Sequence, residues 1–297
     1  MEAAEVLIPL ARVGMLVFVV ASMLGTGLSL TFGAVARPLR DVRLVLGLLV
    51  ANFVVVPATG VLIVTALPVD EASRTSLLLV ACVAGAPFLA PLAKLAGGDA
   101  ATAVGSMVLL MVVTVAYAPV VVPWLVPEAA VAPGEIAGSL VWLMILPLAI
   151  GLLVHARHPH HAGRWAPGVQ RLSTTGLVLG LAAALLAGWR DLLGVAGTWV
   201  LLGVAFLILA GLAAGTLSGL GRPGSERRVL ELAAAQRNIA AAIVIASSLS
   251  PDVVVRTLAA AVAMPVVLLL FAAELGRRSG DTPDAPGNPA QRASGNT

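Results

Sequence analysis

The chain carries one long apolar run after another, each about the 20 residues that a helix needs to cross a bilayer. That repetition constrains its fold more than any other feature. The runs lie near Leu7–Phe32, Leu44–Leu67, Ser76–Leu95, Ala101–Val126, Ile136–His155, Leu172–Gly188, Trp199–Leu220, Val229–Ser248 and Val253–Leu275, with short polar stretches between them. In lipid only helices and closed barrels satisfy every backbone polar group, and continuous runs of this length predict helices. The expected fold class is therefore all-α, a polytopic membrane protein of nine transmembrane helices. Composition agrees: 59% of residues are hydrophobic and 11% charged, against about 25% charged in soluble domains. Residues 1–276 read as the membrane domain. Residues 277–297 turn to Gly, Ser, Pro, Asn and charge, and read as a disordered cytoplasmic tail. The first run has no basic leader and no small-residue cleavage site, so it reads as a span and not as a removable signal.

Charge in the loops alternates. Arg37, Arg40, Arg43, Lys94, Arg157, Arg164, Arg171, Arg222, Arg227, Arg228, Arg277, Arg278 and Arg292 follow the odd-numbered runs. The other side carries Arg74, Arg190 and Arg256 among Glu2, Glu5, Asp70, Glu71, Glu128, Glu135, Asp191 and Asp252. Basic loops resist translocation, so the N-terminus is expected outside and the C-terminus in the cytoplasm, in a plasma membrane. Trp124, Trp189 and Trp199 fall at the expected outer helix ends, where indoles favour headgroups. With the net charge of +3 accounted for by topology, no nucleic-acid partner is expected; the lipid bilayer is, and no obligate protein partner is evident. The single cysteine, Cys82, excludes an intramolecular disulfide.

Two runs are unusual. Pro87 and Pro91, four apart in the third run, remove the backbone donors for the carbonyls of Val83 and Pro87. Freed carbonyls must be buried in protein or line a watery cavity, which predicts a discontinuous helix; a simple proline kink is the plainer reading. The eighth run holds Glu231 and then Gln236-Arg237-Asn238. An arginine at membrane depth costs about 2.5–3.5 kcal/mol on insertion scales, so it should face a partner, a cavity or a ligand. Glu231 and Asn238, seven apart, would share a face of an unbroken helix, with Arg237 pointing elsewhere; the alternative is that Glu231 snorkels beside Arg227 and Arg228. Laying runs six to nine on runs one to four pairs the two interrupted helices in opposite orientation, as in inverted-repeat transporters whose solute site sits at the midplane. His155, His158, His160 and His161 read as a solvated, proline-bearing cytoplasmic loop, and the Gly211, Gly215, Gly219 spacing as close internal helix packing.

Over nearly all of its membrane region the chain resembles the bile acid:sodium symporter family. The resemblance rests on Leu146-Pro147-Leu148-Ala149-Ile150-Gly151-Leu152-Leu153-Val154-His155, Thr26-Gly27-Leu28-Ser29-Leu30, Asn52 to Pro57, Leu95-Ala96-Gly97-Gly98-Asp99, the Pro119 and Pro123 pair, and Gln236-Arg237-Asn238. It implies a panel domain and a core domain with two unwound helices crossing at the substrate and ion sites, here in the nine-span form. It also implies a secondary transporter, not an enzyme, that carries a small organic anion by alternating access. Asn52, Pro87, Gln236, Arg237 and Asn238 are the expected substrate-binding residues. The only cofactor to consider is a sodium ion, with Thr102, Ser106 and Glu231 as candidate ligands. However, the positions that carry a Ser-Asn pair in sodium-coupled members are Leu89 and Ala90, and Leu232 takes the place of the family's glutamate. Arg237 is therefore expected to supply the charge that sodium would bring. With no ATP-binding motif in the chain, a gradient must drive transport. Rival readings are a sodium-independent exporter of a metabolite or of arsenite held by Cys82, and, from another class, a membrane enzyme or scaffold.

Overall fold

A computed structural model describes residues 2–127, 133–195 and 197–280, and no strand occurs among the described residues. Six of its helices are long and apolar enough to cross a membrane: Pro9–Ser29, Val42–Ala66, Ala100–Leu125, Val200–Ser218, Gly224–Ala246 and Pro251–Arg278, with a shorter apolar helix at Val141–Arg157. The protein is an all-α, multi-pass membrane protein.

The first helix, α1 (Glu2–Ser29), stops short of the predicted Phe32, and Leu30 and Thr31 separate it from the short α2 (Phe32–Leu39). The second apolar run is not one regular helix. Between α3 (Val42–Val50) and α4 (Val56–Ala66) lies a π-helical turn, Ala51–Val55. Pro57 explains it: with no N–H at that position the α register cannot close normally, and the Val56 N–H bonds to the Ala51 carbonyl, five residues back. A second π turn, Val141–Ile145, precedes Pro147 between α8 (Pro133–Leu140) and α9 (Leu146–Arg157) in the same way.

The third run breaks as its prolines require, into α5 (Glu71–Cys82) and α6 (Leu89–Leu95) with residues 83–88 unwound. A simple kink does not describe it. After α7 (Ala100–Leu125), the segment read as a histidine-rich loop is largely helix. Pro159 begins α10 (Pro159–Val195), because proline suits the first helical position, and His160 and His161 sit in its first turn. The His161 ring lies 5.8 Å from those of His158 and Trp165. The eighth run also breaks, into α12 (Gly224–Ala235) and α13 (Ile239–Ala246), after α11 (Val200–Ser218). The closing helix α14 (Pro251–Gly280) runs past Arg277, where the tail was expected to begin; residues 281–297 of that tail lie outside the described residues.

Glycines set the closest packing. A Cβ on Gly27 would meet the Leu148 carbonyl oxygen at 2.3 Å, and one on Gly14 the Gly180 Cα at 2.6 Å, so α1 lies directly against α9 and α10. Gly211 and Gly215 form a stripe on which the backbone of α12 rests: a Cβ on either would come within 2.5 Å of Ala235 Cα or Glu231 Cα. The predicted internal role of that spacing holds. Trp124 is exposed at the end of α7 and Trp199 is exposed at the start of α11, while the side chain of Trp189 lies outside the described residues.

Candidate functional site

The two interrupted helices meet at their breaks. The carbonyl of Val83, which Pro87 deprives of its helical donor, accepts from the backbone N–H of Asn238 at 3.2 Å. The Asn238 side chain donates to the Gly85 carbonyl at 3.3 Å and accepts from Ala241 N at 3.1 Å, capping α13. One residue thus closes the second break and joins it to the first. Gly85 has φ +78°, which favours glycine, and a Cβ there would meet Met111 N of α7 at 2.2 Å. Beside it Thr114, also on α7, serves both sides of one peptide unit: its hydroxyl accepts from Ala84 N at 2.9 Å and donates to Ala84 O at 3.0 Å. The carbonyls of Val83 and Gly85 and both polar groups of Ala84 are therefore satisfied from within the protein.

Arg237 is 1% exposed at the same crossing. Its Nε donates to Val80 O at 3.2 Å, Nη2 to Ala81 O at 2.6 Å and Asn52 O at 3.3 Å, and Nη1 to Asn52 Oδ1 at 2.7 Å. Each acceptor is available for a local reason. Val80 and Ala81 lie in the last turn of α5, where carbonyls lack helical donors and the helix dipole is negative. The Asn52 carbonyl is in the π turn, and the residue five positions on is Pro57, which has nothing to donate. Likewise the Phe53 carbonyl accepts from the Tyr117 hydroxyl at 2.9 Å. No carboxylate pairs with Arg237 among the described residues.

Of the five residues expected to bind substrate, Pro87, Gln236, Arg237 and Asn238 line one cavity of about 190 Å³, walled also by Met15 and Phe18 of α1, Leu177 of α10 and Met264 and Pro265 of α14. Asn52 is fully buried and holds Arg237 instead. Gln236 is 5% exposed, and its side-chain oxygen has no hydrogen-bond partner among the described residues.

Thr102, Ser106 and Glu231 are not drawn into one set. The Glu231 carboxylate takes Arg227 Nε at 3.0 Å and the Thr216 hydroxyl of α11 at 3.2 Å. It faces the α11 side of α12, whereas Val229 of the same helix packs on Ala93 of α6 and Ala103 of α7. The predicted shared face of Glu231 and Asn238 also fails, because α12 ends at Ala235 and helical phase is lost across the break. Thr102 donates to Asp99 Oδ1 at 2.7 Å in the first turn of α7, and Ser106 Oγ is buried without a partner among the described residues. At the positions of the missing Ser-Asn pair, Leu89 and Ala90 offer only aliphatic side chains. Cys82 is 1% exposed and lines none of the cavities described here.

Two ion-pair clusters flank this centre. Arg222 bridges Asp41, at 2.8 Å, and Glu226, at 3.0 Å, and its hydrogen bond, with that of Leu44 N, holds the Asp41 carboxyl down at about 2. Elsewhere Arg256 of α14 reaches Asp70 Oδ2 at 3.3 Å and Ser73 Oγ at 3.3 Å, tying α14 to the start of α5.

Sequence reasoning missed Thr114 and Tyr117, whose hydroxyls carry no signal of their own within an apolar run.

No curated protein matches the chain. Residues 15–194, more than half of its 297, match the profile of the Sodium Bile acid symporter family. The chain therefore belongs to the Sodium Bile acid symporter family.

Proposed function

We propose that the protein is a gradient-driven secondary transporter that carries a small organic anion across the plasma membrane by alternating access, without sodium. In this reading nine helical passes form inverted repeats, with the N-terminus outside and the C-terminus cytoplasmic, and the solute binds in the cavity beside the crossing. Family membership supports transport over an enzyme or a scaffold. The loop charges support the orientation.

One observation carries the sodium-free reading: the freed carbonyls of Val80, Ala81 and Asn52, with the Asn52 amide oxygen, already surround a guanidinium. Oxygens of that kind are what a hard cation seeks. A covalently attached charge occupies them, and Leu89 and Ala90 add no replacements. Arg237 thus supplies a positive charge at the crossing, as a permanent brace whose donors point into protein and not toward the solute.

The test is uptake by proteoliposomes of a labelled carboxylate, chosen by thermal-shift screening of the purified protein against carboxylates and steroid acids. Uptake is expected to persist when choline replaces sodium; complete loss would refute sodium independence. The arsenite alternative requires Cys82, and Cys82→Ser leaves uptake unchanged on the present reading.

A further inference from the structure

The first turns of α10 carry two arginines, Arg164 and Arg171, on an exposed face. Among the described residues neither makes a hydrogen bond or an ion pair. Between Glu135 and Asp191 the chain has no acidic residue, and Asp41, Glu226, Glu231 and Glu274 are taken by other arginines. At their spacing along α10 the two arginines stand one above the other, about 10 Å apart along the axis. The opposite face packs against α1: Ala162 and Ala166 on Leu28, the Ser173 hydroxyl on the Phe18 carbonyl, and Gly176 on the backbone of Gly14. Toward the membrane centre the arginine face continues as exposed Val178, Leu179 and Leu186, and beside the arginines Trp165 and Leu172 are each 55% exposed. Depth follows from α1. Its apolar span Pro9–Ser29 has 21 residues, about 31 Å at the rise of an α-helix, which matches the hydrocarbon thickness. Leu28 at the end of that span meets Ala162 and Ala166, so Arg164 lies at the lipid surface. Gln170 packs on Gly25, which puts its neighbour Arg171 about 6 Å inside, where a guanidinium must reach back to the headgroups.

We propose that this face of α10 is a binding site for an anionic phospholipid. The lipid phosphate lies between the guanidinium groups of Arg164 and Arg171, and the acyl chains run along Leu172, Val178, Leu179 and Leu186. Arginine is the side chain whose planar fork fits phosphate. Indoles favour the headgroup level, where Trp165 stands beside the pair. A zwitterionic lipid brings its own ammonium and offsets its phosphate, whereas two uncompensated arginines favour a lipid of net negative charge. The site lies at the lipid boundary and does not depend on what the protein carries.

The whole protein is placed in phosphatidylcholine nanodiscs in which a minor fraction of the lipid carries brominated acyl chains, as either phosphatidylglycerol or phosphatidylcholine. Bromine quenches the indoles it touches, and the difference between wild type and Trp165→Phe isolates Trp165 from the other four tryptophans. Phosphatidylglycerol should be enriched at Trp165 over phosphatidylcholine, by about fivefold for each arginine. Arg164→Gln combined with Arg171→Gln should bring the two lipids to parity. The corresponding pair of lysine variants should keep part of the enrichment, since an ammonium retains the charge without the fork. Both positions are exposed, and helicity and monodispersity check that each variant is folded. Equal quenching by the two lipids in wild type overturns the site, as does enrichment that survives loss of both arginines. Arg74→Gln, at the start of α5 on the other side of the membrane, should change nothing; an equal loss there would mean attraction to bulk charge and no site. Inorganic phosphate added at constant ionic strength should leave the enrichment intact, and displacement by it would assign the arginines to a soluble anion instead.

Discussion

Arg237 shows how a permanent charge can be buried without a carboxylate. Its acceptors are backbone and amide oxygens made available by a helix end and by a proline, so removing it orphans several at once, at about 1–3 kcal/mol for each one left unmet. Arg237→Ala should therefore lower the thermal unfolding midpoint sharply. Arg237→Lys should recover little, since one ammonium cannot reach Val80, Ala81 and Asn52 together. A double-mutant cycle of Arg237→Ala with Asn52→Leu should give a coupling of about 1–3 kcal/mol; additive effects would mean the contact does not matter. Arg237 and Asn52 were each visible in the sequence as polar residues at membrane depth. That they pair was not visible, because it depends on a π turn which shifts one carbonyl register, and no side-chain periodicity records that shift.

Among the elements, the proline-marked break was legible, since Pro87 and Pro91 remove donors by covalent structure alone. Its partner was not: the residue that fills the Val83 carbonyl is Asn238, more than 150 positions away in the chain. Thr114 was equally hidden, as one hydroxyl among many in an apolar helix. Thr114→Val keeps the shape and strands both the N–H and the C=O of Ala84, so it should destabilise by about 2–6 kcal/mol in thermal or chemical unfolding. Gly85→Ala should be worse tolerated than Gly134→Ala: the first would place a Cβ against the backbone of Met111 at a positive φ, and the second has open space around it. Comparable yields of the two folded variants would contradict the packing described. The assignment of Glu231 as a cation ligand illustrates the opposite difficulty. A carboxylate in an apolar run looks available until its i−4 neighbour, Arg227, is seen to claim it.

For the molecule as a whole, the apolar runs marked where the helices lie, because lipid leaves the backbone little alternative. The arrangement of those helices required knowing which glycines are packed against what. One ion cluster gives a prediction at this scale. Arg222 ties the segment before α3, through Asp41, to α12, through Glu226, and the Asp41 carboxyl is held at about 2 against an ordinary 3.8. A depressed acid contributes stability that is complete above its unfolded value and is lost as pH falls from about 3.8 toward 2. Asp41→Asn should flatten acid unfolding in that window. Above pH 5 it should lower stability by a small, constant amount, small because exposed pairs are strongly screened, and the difference should vanish as pH falls toward 2.

The pairing of Asn238 with Val83 also bears on what can move during a transport cycle. A knot tied by backbone to backbone, and tightened by a guanidinium, gains nothing from opening when a solute arrives. Whichever side of the membrane the cavity at the crossing opens to, the two broken helices should travel as one piece. The amide proton of Asn238 should then resist exchange with solvent as stubbornly as any in the centre of an unbroken helix.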